Sequence, residues 1–137
     1  MNNGYYLLMG QFDISKYDNT IKTVTNDVVL TNERLSHIID KHPEVLKYLN
    51  KLKEFFDNPD MVFLELNKKD TIWIVKKIKS NLKITIKLSS IRMKDTNYKN
   101  SIIQMQYMND KELKRNILVG RVKVLWSKNV ALMQEIW

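Results

Sequence analysis

The chain has only two histidines, and both fall in one short stretch, Thr31-Asn32-Glu33-Arg34-Leu35-Ser36-His37-Ile38-Ile39-Asp40-Lys41-His42-Pro43-Glu44. Lysine-rich, alternating segments follow in the second half of the chain. Two imidazoles beside a basic sheet, with no cysteine and no run of clustered carboxylates, would suit metal-independent cleavage of RNA. RNA supplies its own nucleophile, the 2′-OH. A protein then needs a base for that proton, an acid for the leaving 5′-oxygen, and cations for the charge that develops on phosphate. Histidine suits both proton roles because its unperturbed pKa is near ~6.5.

At helical spacing His37 shares a stripe with Arg34 (i−3) and Lys41 (i+4), so its neighbours are the kind that would meet a phosphate. The competing reading is an ordinary exposed histidine. His42 follows Leu35, Ile38 and Ile39 at i+7, i+4 and i+3, on or beside the apolar stripe. A proton-transfer role and a structural bond at the helix end both remain open for it. A metal site is not expected. On an ideal helix the two histidines point about 140° apart, whereas zinc-binding pairs sit one turn apart. No third histidine and no cysteine exist to complete a set, and Asp40 reads as helix surface. Three glycines in the whole chain leave no room for a glycine-rich phosphate loop, so no cofactor is expected.

The cations come from the strands. Lys77 is the first choice for stabilising the charged transition state, with Lys83 and Lys87 as second choices or phosphate-positioning contacts. Thr85, Ser89, Ser101 and Gln104 can hydrogen-bond phosphate or base, or serve as ordinary strand polar residues. Trp73 would stack a base or cover the sheet. Met105, Met108 and Met133 read as packing residues.

These groups need elements to hold them. Tyr5 to Phe12 has strand character, Asp13 to Asp27 reads as loop, and Val28 to Leu30 leads into a first helix. Thr31 is its N-cap and Glu33 lies in its first turn, where negative charge suits the helix dipole. Leu35, Ile38 and Ile39 form its apolar stripe, and Pro43 ends it. A second helix from Pro43 to about Asp57 buries Val45, Leu49, Leu52 and Phe56. Asn58-Pro59-Asp60 breaks it. Strands follow over Met61–Leu66, Thr71–Ile78, Leu82–Leu88 and Ser101–Met108. Asn109 and Glu112 stand at capping-box spacing for a third helix that ends near Gly120. Arg121–Trp126 alternates as a last strand, and Asn129–Trp137 reads as a short helix.

The expected class is α+β, with N-terminal helices on one face of a mostly antiparallel sheet of four to five strands. Residues 1–27 would be an N-terminal extension and 28–137 the main domain. Strand alternation puts Ile72, Ile74, Ile78, Leu82, Ile84, Ile86 and Leu88 on the core face. It puts Trp73, Val75, Lys77, Lys79, Lys83, Thr85, Lys87 and Ser89 on the other. Lysines facing one another across adjacent strands repel, and a phosphate ligand would offset that cost.

With 137 residues, 44% of them hydrophobic, the chain can bury one real core. Without cysteine it has neither disulfide nor thiolate chemistry, which fits a reducing compartment. No apolar run approaches the ~20 residues of a membrane span. The Tyr5–Met9 run is too short for a secretory signal and lacks a basic flank, so a cytoplasmic site of action is expected. The net charge of +8 is unevenly placed. Residues 1–65 carry seven Lys/Arg against ten Asp/Glu, and residues 66–137 carry sixteen against five. Such polarity points to a polyanionic partner, with nucleic acid first; a soluble basic surface without ligand is the plain alternative.

The Thr31-Asn32-Glu33-Arg34 … His37-Ile38 … His42-Pro43-Glu44 helix, the Asn58-Pro59-Asp60 turn, the lysine-bearing hairpin and Asn100-Ser101-Ile102-Ile103 together resemble one family. It is the phage-associated branch of the barnase–EndoU–colicin–RelE-like (BECR) nucleases. The resemblance covers about residues 28–126, and Gln104 stands where many members carry a threonine. It implies a small metal-independent endoribonuclease, a hydrolase-type toxin or effector that leaves a 2′,3′-cyclic phosphate. His37, His42, Lys77 and Gln104 would be catalytic; Arg34, Lys41, Trp73, Lys83, Thr85, Lys87, Ser89 and Ser101 would hold substrate. The implied partners are RNA, such as tRNA or ribosome-associated mRNA, and an acidic antitoxin or immunity protein, with no membrane. It would act in the cytoplasm of a bacterium, as a bacterial or phage product, or be delivered into that of a target cell. Two other readings stand beside it: a non-catalytic nucleic-acid-binding module, and an interaction domain whose basic face binds an acidic protein.

Overall fold

The structure, a computed structural model, describes residues 5–89 and 99–128. The helix expected over 129–137, with Met133, lies outside them. The strands are β1 (Tyr6–Gln11), β2 (Asp27–Thr31), β3 (Met61–Glu65), β4 (Thr71–Lys77), β5 (Asn81–Lys87), β6 (Asn100–Met108) and β7 (Val122–Ser127). They form one sheet in the order β1-β2-β6-β5-β4-β3-β7. The helices are α1 (Asn32–Lys41), α2 (Leu52–Asp57) and α3 (Asp110–Leu118).

The class is α+β, but the sheet is larger than expected and mixed. Seven strands replace four to five, and β2 pairs with β6 in parallel, Val28 opposite Asn100 and Val29 opposite Ser101. Val28–Leu30, read as a lead into helix, is this strand. A three-residue apolar run has no usable period, and the partner that makes it a strand lies about seventy residues downstream. Residues 5–27, expected as an extension, add β1 to the sheet edge and Phe12 and Ile14 to the main core. Tyr17, in the loop after β1, stacks on Phe12 with centroids 5.3 Å apart and meets Trp126 of β7 at 5.3 Å. The loop therefore reaches from one edge strand toward the other.

The first helix forms as its signals require. Thr31 Oγ1 accepts from the Arg34 backbone N–H at 3.2 Å, and the helix stops before Pro43. Its buried stripe is narrower than expected: Ile38 is fully buried, Leu35 partly, and Ile39 is exposed. The second helix divides into 3-10 turns over Pro43–Lys51 and a short α2, while Val45, Leu52 and Phe56 face the core as their spacing demands. Asn109 Oδ1 caps α3 by accepting from Glu112 N–H at 2.8 Å, and Gly120 takes positive φ (76°) just past its end.

The two sheet faces divide as alternation dictates. Ile72, Ile74, Leu82, Ile84, Ile86, Leu88, Ile102 and Met105 pack under α1, α2 and the 3-10 turns. Ile78, placed with them by alternation, lies beyond β4 and is exposed. On the opposite face Met61, Phe63, Trp73, Val75 and Met108 make a smaller core with Leu113 of α3 and Val122. α3 covers only part of that face, and the rest is polar.

Asn100 ties the N-terminal segment to this frame. Its Oδ1 accepts from Ser89 N–H at 2.8 Å and Ser89 Oγ at 2.9 Å, and its Nδ2 donates to the Thr25 carbonyl at 2.8 Å. Asn100 is 1% exposed, so Asn100→Ala strands buried donors and a carbonyl. The variant should lose about 2–4 kcal/mol, read as a lower urea midpoint with an unchanged slope. A midpoint equal to wild type would show that the bonds at Asn100 carry no net stability.

Candidate functional site

The uncovered part of the second face is a cleft of about 520 Å³. Its floor is Trp73 from β4, Lys83 and Thr85 from β5, and Gln104 and Gln106 from β6. Register brings these together: Thr85 lies opposite both Trp73 and Gln104, and Lys83 opposite Val75 and Gln106. A bulge between Thr85 and Ile86 leaves Ile103 as an extra residue on β6, and Ile103 also lines the cleft. One wall is α1, with Arg34 and His37; another is α3, with Glu112 and Asn116. Glu65, Lys68 and Arg121 complete the rim.

α1 reaches the cleft because β2 feeds directly into it, Thr31 being both the last residue of β2 and the N-cap of α1. Pairing of β2 with the start of β6 sets α1 alongside the rest of that strand, where the two elements touch. One helical turn then separates Arg34 from His37, which share the exposed side.

Six of the residues singled out from sequence therefore meet in one place: Arg34, His37, Trp73, Lys83, Thr85 and Gln104. The others lie elsewhere. His42 caps the C-terminus of α1, half-buried, with its backbone N–H on Ile38 O at 2.7 Å and its Nδ1 3.7 Å from Glu44. Lys41 sits 3.9 Å from Asp40. Lys77 is placed at the end of β4, 3.7 Å from Asp110 at the start of α3. Lys87 donates to the Lys69 carbonyl. Ser89 is fully buried and bonded to Asn100, and Ser101 pairs with Lys87 beyond the cleft. Sequence reasoning missed Glu65, Lys68, Gln106, Glu112, Asn116 and Arg121. Gln106 was legible from its i+2 spacing to Gln104; the others depend on how β3, α3 and β7 pack.

Lys83 dominates the electrostatics. It is 5% exposed, and its Nζ lies 4.3 Å from the centre of the Trp73 ring. Burial pulls its pKa below the ordinary lysine value; Glu65 and, less strongly, Glu112 oppose the shift, and Lys68 adds to it. The Trp73 indole is held from its edge by Nε1–H donation to Glu65 at 3.2 Å. Among the described residues no three His, Asp or Glu side chains gather as a metal site, and no helix is long and apolar enough to cross a membrane.

No family model, curated protein or solved structure matches the chain.

A buried ammonium costs several kcal/mol of desolvation, which a cation–π contact of about 2 kcal/mol does not fully return. Lys83→Met, which keeps the stem, should raise the melting temperature at neutral pH. The folded-state pKa is lowered, so the wild-type protein gains stability as pH rises through it toward the ordinary lysine value. The advantage of the variant should therefore shrink in the same window. A variant that melts below wild type across the whole pH range would show that Lys83 is a net stabiliser.

Proposed function

We propose that the protein is a metal-independent endoribonuclease of the toxin or effector type. The observation that carries this reading is the meeting of His37 and Arg34, from α1, with Lys83, Thr85 and Gln104, from the sheet, in one cleft. A proton-transfer group, cations and neutral hydrogen-bonding groups are what phosphodiester cleavage by a 2′-OH requires. The resemblance of the His37–Glu44 segment to the phage-associated BECR nucleases supports the same reading. In this mechanism His37 moves a proton at the reacting phosphate. His37 takes the 2′-OH proton, a carboxyl group of the cleft, Glu112 or Glu65, gives one to the leaving 5′-oxygen, and His42 supports α1 from its C-terminus. Arg34 and Lys83 meet the developing charge, with Lys77 outside the reacting set. The product is a 2′,3′-cyclic phosphate. The excess of positive charge in residues 66–137 suits RNA as substrate and an acidic protein as inhibitor.

The deciding experiment incubates the purified protein with total RNA in EDTA, with and without ribosomes, and identifies the ends formed. Cleavage with cyclic-phosphate ends is expected. His37→Ala should cut the rate ~10²–10⁴-fold with RNA affinity and melting temperature near wild type. His42→Ala should lose stability and less activity. RNA of every class left intact by a folded, RNA-binding protein would establish a non-catalytic binding module instead. Cleavage abolished by EDTA and restored by a divalent cation would overturn the metal-independent mechanism.

A further inference from the structure

The floor of the cleft carries two polar groups that have no hydrogen-bond partner among the described residues. The Lys83 ammonium has, among the described residues, no hydrogen bond and no ion pair, only the face of Trp73. Thr85 is 4% exposed, and its Oγ1 is buried with no hydrogen-bond partner among the described residues. The two sit two residues apart on one face of β5, both at the cleft floor. Beside them Gln104 Nε2 makes, among the described residues, only a long 3.4 Å contact with Gln106 Oε1, so its amide retains donor capacity. Leaving a buried cation and a buried hydroxyl unpaired destabilises the fold, and a bound oxyanion would satisfy ammonium, hydroxyl and amide together.

Trp73 does not compete for this ligand. The indole is 4% exposed, its edge is bonded to Glu65, Lys83 lies over its ring, and Phe63 packs against it at 6.1 Å. It offers no free face to a nucleobase.

We propose that Lys83, Thr85 and Gln104 form a seat for one tetrahedral oxyanion, the phosphate of a phosphodiester, and that Trp73, held by Glu65, supports Lys83 instead of stacking a base. The phosphodiester assignment rests on the ribonuclease reading; the oxyanion seat does not. The desolvated state of Lys83 fits it, because an arriving anion favours the charged amine that burial disfavours.

The test uses two probes on the full chain: inorganic phosphate, and a deoxydinucleotide that lacks the 2′-OH and so cannot be cut. Binding is followed by calorimetry and by the NMR signal of the Trp73 indole N–H, with melting curves to confirm folding. Phosphate should bind and shift the indole signal, and the dinucleotide should displace it. Lys83→Met should weaken phosphate roughly tenfold or more, Lys83→Arg should retain most of it, and Thr85→Val should weaken it less than Lys83→Met does. Lys53→Ala, on α2 away from the cleft, should leave it unchanged. Trp73→Leu should weaken phosphate and dinucleotide alike; loss of dinucleotide binding alone would restore Trp73 as a base platform and overturn that half of the inference. Phosphate binding that survives Lys83→Met, or no binding by the folded wild-type protein at tens of millimolar, would overturn the seat. Phosphate that the dinucleotide cannot displace would overturn the phosphodiester assignment. Phosphate and dinucleotide binding without RNA cleavage would sink the ribonuclease reading and leave the seat standing.

Discussion

The register of β5 between β4 and β6 is the constraint on which the core and the cleft both depend. Ile84 lies between Ile74 and Met105, and Thr85 between Trp73 and Gln104. Strand side chains alternate with a period of two, so a slip of one residue would drive Lys83, Thr85 and Lys87 under the helices and expose Leu82, Ile84 and Ile86. The main core forbids that slip, because those three apolar side chains are fully buried in it. The apolar face thus fixes what the polar face displays.

What the polar face displays is costly to the fold. Among the described residues, Lys83 is buried without a hydrogen bond or ion pair, its ammonium over the Trp73 ring, and Thr85 Oγ1 has no hydrogen-bond partner. Burying a cation or a hydroxyl without a hydrogen bond carries a desolvation cost that an apolar side chain does not. Stability given up in a cleft is the usual mark of a surface kept for binding or chemistry. The rim reinforces the positive potential: Arg34, Lys68 and Arg121 stand with Lys83 against the carboxylates of Glu65 and Glu112. A concave surface with that balance concentrates anions.

α1 reaches the site through backbone continuity with β2 as well as through the burial of Ile38 in the main core. β2 is clamped between β1 and β6, and the chain passes from its last residue, Thr31, straight into the helix. His37 and Arg34 therefore inherit their position from a parallel strand pair of which only Val28 and Val29 are registered against β6. Asn100, at the start of that pair, holds Ser89 and Thr25 in place around it. The strand pair that carries α1 to the cleft is thus tied by a hydrogen-bond cluster whose residues do not line the cleft.

Local signals in the sequence were sufficient for the capped helices, the breaker at Asn58-Pro59-Asp60, the four strands from Met61 to Met108 and the apolar face of β4 and β5, but not for the second core that buries Trp73 and Val75 on the face read as basic. Each of these rests on neighbours within a few residues, through caps, proline geometry or period-two alternation. Arg34, His37, Trp73, Lys83, Thr85 and Gln104 could be picked out for the same reason, since residue type and face are local properties. Tertiary structure decided the rest. Only pairing over long separations shows that Val28–Leu30 is a strand and that β1 extends the sheet. Only the ending of β4 at Lys77 places that lysine by Asp110 at the start of α3 while Lys83 lies on the cleft floor. Glu65, Glu112 and Arg121 enter the cleft because β3, α3 and β7 fold around its rim, and nothing in their own flanking residues records that approach.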